Sequence, residues 1–159
     1  MLPFEVVTAF VLGIPECLAT VFMVYALLGL RTGPARIVGL GLLFLSLVYV
    51  IRNSGAPFPA HTLFTFVVMS VTISTWERIA LQRVILAWAF TLILLVVLET
   101  VLTTAIVSAV GLPMDELKTQ PLLLALIGLP NTLVIALIAW RLYRRGGIRP
   151  FKERQEVLR

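Results

Sequence analysis

From Val84 to Val110 the chain carries a single ionisable side chain, Glu99, and this long apolar run restricts the fold more than any other feature. A helix of about 20 apolar residues spans the ~30 Å hydrocarbon core of a bilayer, whereas a helix on a water-soluble protein keeps a polar face. Four more apolar segments accompany it, from about Phe4 to Leu30, Ile37 to Ile51, His61 to Trp76 and Leu122 to Leu142. Only 13% of the residues are charged, about half the share in an ordinary soluble domain. The expected fold class is therefore all-α: a polytopic transmembrane bundle of about five helices over residues 1–143, with a basic tail over residues 144–159.

Breaks between the segments are written in helix-stopping residues. Arg31 to Arg36 contains the Gly33-Pro34 pair, and Arg52 to Pro59 contains Gly55, Pro57 and Pro59, none of which continues a helix comfortably. The first segment exceeds the length needed to cross, so tilt or a kink at Pro15 is expected, with a second kink at Pro130 in the last segment. Residues 1–8 lack the Lys or Arg of a cleavable signal peptide, so this segment is expected to persist as a helix. Gly39 and Gly41 predict close helix approach in the second segment. The third, with Thr62, Thr65, Ser70, Thr72 and Ser74, is the most polar and is expected inside the bundle. Asp115, Glu116 and Lys118 mark an exposed loop before the last helix.

Five crossings place the loops alternately on two sides, and the basic residues divide unevenly between them. Of the 13 Lys and Arg, only Arg52 and Lys118 fall on the side of the N-terminus. Arg31, Arg36, Arg78, Arg83, Arg141 and the whole tail fall on the other. Short cytoplasmic loops are the ones enriched in Lys and Arg, so the N-terminus is expected outside and the tail in the cytoplasm, in the inner (cytoplasmic) membrane. The net charge of +5 then serves topology and anionic lipid, and no motif points to nucleic acid. The tail residues Arg144, Arg145, Arg149 and Lys152 are expected to meet either anionic headgroups or a cytoplasmic partner.

Chemistry-bearing residues are few. One cysteine, Cys17, and one histidine, His61, assemble neither a disulfide nor a structural zinc cage within one chain, and no cofactor is implied. Catalytic motifs are lacking, so no enzymatic activity is expected. Glu16 and Glu99, by contrast, lie within apolar segments, where a carboxylate costs roughly 2.5–3.5 kcal/mol at the helix centre, so both should face the bundle interior. Gly13-Ile14-Pro15-Glu16 matches Gly128-Leu129-Pro130-Asn131, and each proline strands a carbonyl one turn earlier. Glu16, Glu99 and Asn131 are therefore expected at one level near midplane, with Thr20 and Thr103 one turn beyond the glutamates. Such a cluster either glues helices together or forms a polar cavity for a ligand, a proton or an ion. His61, at the outer start of the third helix, is an interfacial cap or an external contact sensitive to pH.

Pro15-Glu16, Ile51-Arg52, Pro57-Phe58-Pro59-Ala60-His61-Thr62, Leu98-Glu99 and Gly128-Leu129-Pro130-Asn131 together resemble the membrane-spanning input region of Gram-positive bacterial sensor histidine kinases, of the peptide-pheromone receptor and Spo0B-like type. The resemblance implies a homodimeric region that receives a signal, a small ligand or peptide, and passes a helix movement to a cytoplasmic dimerisation and kinase module. No such module follows within these residues, and His61 falls outside, away from ATP. The expectation is a sensor-like module of a two-component system that acts through a partner protein in bacterial signal transduction. The competing expectation is a small oligomeric transporter or channel subunit that uses Glu16 and Glu99.

Overall fold

The computed structural model describes residues 13–54, 60–110 and 121–147, which are helical apart from short turns and contain no strand. Five helices follow in order: α1 (Ile14–Leu28), α2 (Pro34–Asn53), α3 (Ala60–Glu77), α4 (Leu81–Val110) and α5 (Pro121–Arg145). Their bounds lie within a few residues of the apolar segments, except that α1 is described only from Ile14. The expected kink at Pro15 depends on residues before Gly13 and lies outside the described residues, as does the loop holding Asp115, Glu116 and Lys118. Pro130 falls inside α5 as expected.

α1 is the interior helix. Val21, Val24, Tyr25, Ala26 and Leu27 have no exposed surface, and Met23 has almost none; a helix that is apolar all round has to be covered on every side. α5, α2 and α4 cover it, α5 most extensively, and α3 closes the outer layer between α2 and α4. The outer helices each turn one stripe inward at helical spacing. On α4 it is Val84, Ala87, Trp88 and Thr91; on α5 it is Asn131, Thr132, Ile135 and Ala139; on α3 it is Thr65, Met69, Ser70 and Ile73. Phe44 of α2 meets Trp88 edge-on, with ring centroids 5.2 Å apart.

The third segment does not occupy the interior, contrary to the expectation from its hydroxyls. Leu63, Phe64, Val67, Val71 and Trp76 of α3 are exposed. Thr72 and Thr75 donate to the carbonyls of Val68 and Val71 in their own helix, so these hydroxyls need no interior partner. The two glycines of α2 also divide. A Cβ on Gly41 would come within 2.5 Å of Leu18, so Gly41 does permit the close approach of α1 and α2, whereas a Cβ on Gly39 would meet nothing within 4 Å.

The ends of α1 and α5 are built alike. Gly29 adopts φ 70, with Leu30 N–H donating to Tyr25 C=O and Gly29 N–H to Ala26 C=O. Gly146 adopts φ 75, with Gly147 N–H donating to Leu142 C=O and Gly146 N–H to Tyr143 C=O. Both are Schellman caps, in which a left-handed glycine satisfies the last carbonyls. The caps press on each other: a Cβ on Gly29 would lie 2.7 Å from the Gly146 carbonyl oxygen, and one on Gly147 would lie 2.6 Å from the Gly29 Cα. α1 and α5 therefore run parallel and finish together. Arg78, the C-terminal cap of α3, takes the same left-handed conformation (φ 53) without being glycine.

The exterior is as apolar as the interior, unlike that of a soluble bundle. Large apolar side chains on α2, α3, α4 and α5 are exposed, among them Val50, Phe64, Ile93, Val101, Leu137 and Trp140, while Thr20, Thr65, Ser70, Thr91, Asn131 and Thr132 are buried. Among the described residues two stretches, Pro34–Ile51 and Leu81–Ala109, are long and apolar enough to cross a membrane; Ile14–Leu28 and Thr62–Glu77 are shorter apolar helices.

Candidate functional site

The seam between α1 and α5 brings together two of the residues singled out in the sequence. Because the helices are parallel and clasped at Gly29 and Gly146, their depths follow from the helical rise. Glu16 lies roughly 20 Å from the clasp and Asn131 roughly 23 Å, so the two share a level to within one turn. Glu16 is half-buried and Asn131 is buried at 6% exposure. The Asn131 Oδ1 is buried with no hydrogen-bond partner, a state that costs about 1–3 kcal/mol when nothing fills it. Thr20, also buried, donates its hydroxyl to the Glu16 carbonyl at 2.7 Å. That bond belongs to the backbone of α1 and leaves the Glu16 carboxyl open to other partners.

Glu99 behaves differently. Glu99 is exposed on α4, where Val96, Val97 and Val101 are exposed as well, so its expected inward placement is not what the fold provides. The physical reason is that the inward stripe of α4 is filled near the opposite end, by Val84, Ala87, Trp88 and Thr91. Thr103 is half-buried, and no hydrogen bond among the described residues ties it to Glu16 or Asn131. His61 lies in the first turn of α3, and its side chain lies outside the described residues. Arg144 and Arg145 close α5 and are exposed, with Arg144 stacked 4.9 Å over the Trp140 ring; Arg149 and Lys152 lie outside the described residues.

No family model, curated protein or solved structure matches this chain. The site therefore has to be read from its own geometry. Among the described residues no group of His, Cys, Asp and Glu is placed to hold a metal ion.

A second polar constellation was not anticipated. Tyr25 donates its hydroxyl to Glu77 Oε1 at 2.9 Å, and Arg36 Nη1 donates to the same oxygen at 2.9 Å. The Arg36 guanidinium also lies 5.7 Å over the Trp76 ring. Three helices, α1, α2 and α3, are pinned by one carboxylate. A signal for it was present in the sequence, because Glu77 ends α3, where the helix dipole is negative and a lone carboxylate is disfavoured. At the same end of the bundle, Tyr143 donates its hydroxyl to Thr32 C=O at 3.2 Å and packs its ring against Phe22 at 5.5 Å.

Proposed function

We propose that this chain is a multi-pass inner-membrane sensor module of five crossings, N-terminus outside and tail in the cytoplasm, which binds a small polar ligand, proton or ion at Glu16 and Asn131 and acts through a cytoplasmic signalling partner without catalysis of its own. The observation that carries the reading is the buried, unpartnered Asn131 Oδ1 at the level of Glu16, on the helix pair that ends in the glycine clasp. Occupation of that level changes the seam, and the clasp couples α1 to the end of α5, where Arg144 and Arg145 begin the basic tail. The apolar exterior supports the bilayer as the solvent. A homodimer is the assembly that the resemblance to kinase input regions favours.

A second reading, a small transporter or channel subunit, is favoured by Glu99, an exposed acidic side chain on the long apolar helix α4, since a path out of the seam would use such a residue together with Glu16. One experiment separates the two. The chain, solubilised from native membranes, is expected to co-purify with a histidine kinase or response regulator, and Glu16→Gln and Asn131→Leu are expected to abolish the signalling output with the fold intact. Reconstituted vesicles showing an ion or solute flux that Glu16→Gln removes would sink the sensor reading and establish the transporter.

A further inference from the structure

On the outer surface, between α2 and α3, lies a half-open groove of about 310 Å³ lined by Ala35, Arg36, Gly39, Leu40, Leu43 and Trp76. Ala35, Gly39 and Leu43 share one face of α2 at four-residue spacing. The groove exists because Gly39 has no side chain there: a Cβ would meet nothing within 4 Å. Trp76 forms the opposite wall and is 57% exposed. Arg36 stands at the mouth, fixed from two directions by Glu77 and by the Trp76 ring, and its side chain is still 43% exposed. One guanidinium nitrogen serves Glu77, whereas a guanidinium offers five donors in a fork suited to a phosphate.

We infer that this groove is a binding site for one anionic phospholipid, its phosphodiester on Arg36 and an acyl chain lying along Ala35, Gly39 and Leu43. The inference rests on the membrane reading above. Three observations favour this occupant over a second copy of the chain. The volume is at the low end for small-molecule pockets, about 300–1,000 Å³, and a helix about 10 Å across does not enter it. An arginine beside an exposed tryptophan matches the chemistry of the headgroup level of a bilayer. The end of the bundle that carries the groove also bears Arg31, Arg36, Arg78, Arg144 and Arg145, with Glu77 as the one acid among the described residues there, which selects an anionic over a zwitterionic headgroup.

The test is native mass spectrometry of the full chain in detergent with phosphatidylglycerol or phosphatidylcholine of identical acyl chains. One retained phosphatidylglycerol is expected, held about fivefold more tightly than phosphatidylcholine. Gly39→Leu, which fills the groove without touching the Arg36–Glu77 pair, is expected to lose the lipid with a melting temperature no lower than that of the parent chain, and Trp76→Ala to lose it by removing the wall. Arg36→Gln is expected to erase the preference between the lipids. Retention by both folded Gly39→Leu and Trp76→Ala variants would overturn the proposal. So would displacement of the lipid by millimolar inorganic phosphate, or a dimer abolished by Gly39→Leu in place of a lipid adduct. A chain that stays monodisperse without detergent would instead overturn the membrane reading itself.

Discussion

Glu77 occupies a position that its own helix makes unfavourable, and two side chains from other helices reverse the balance. Tyr25 is fully buried, so its hydroxyl has no water to turn to, and removing its acceptor leaves an unsatisfied donor. Glu77→Leu is therefore expected to cost about 1–3 kcal/mol, whereas Tyr25→Phe, which deletes one bond and strands nothing charged in the interior, is expected to cost about 0.5–1.5 kcal/mol. Arg36 contributes less to stability, because its half-exposed pair is screened by solvent. Thermal unfolding in detergent checks the order: Glu77→Leu the more damaging, Tyr25→Phe the milder. Equal losses would mean that the hydroxyl, not the carboxylate, holds the three helix ends. The sequence alone did not single out this pairing, since the partners of Glu77 come from positions 41 and 52 residues earlier and no local pattern reports such distant pairs.

Glycines separate the helices more sharply than the apolar residues do, because their value depends on what faces them. Gly29 and Gly147 combine a left-handed backbone with backbone atoms closer than 3 Å to any added Cβ. Gly29→Ala is expected to destabilise by about 2–4 kcal/mol, from the left-handed conformation and the overpacked clasp together. Gly39→Ala, a mid-helix site in open space, is expected to stabilise by about 0.5–1 kcal/mol. The two melting temperatures should move in opposite directions, and a shift of the same sign would deny the clasp its role. Helix positions were legible in the sequence because prolines, glycines and arginines punctuate the apolar runs. Which helix lies inside was not, since α1 and α4 are both almost wholly apolar and only packing distinguishes the covered one. Polarity misled for α3, whose Thr72 and Thr75 bond to their own backbone, and the Gly-x-Pro match between α1 and α5 proved the better guide, for those helices do run side by side.

At the scale of the whole molecule, the C-terminal ends of α1, α3 and α5 and the N-terminal ends of α2 and α4 gather at one end, and the described arginines other than Arg52 gather with them. A cysteine introduced at Glu116 is expected to react with an impermeant maleimide from outside intact cells, and one at the exposed Arg145 only after the membrane is opened. Cys17 is buried at 7% exposure, so the background should be low. Labelling of the Arg145 position from outside would reverse the proposed orientation. The shared level of Glu16 and Asn131 was legible from the repeated motif; the exposure of Glu99 was not, because which face of a helix turns inward is decided by neighbours that no spacing reveals. The clasp also bears on how such a chain is made. Synthesis delivers α1 well before its principal neighbour α5, so in the proposed membrane setting Gly29, Tyr25 and Glu16 wait in lipid, or in the insertion machinery, for a helix still inside the ribosome. α5 is thus the helix that closes over α1, and the nascent bundle stays open along that side until it arrives.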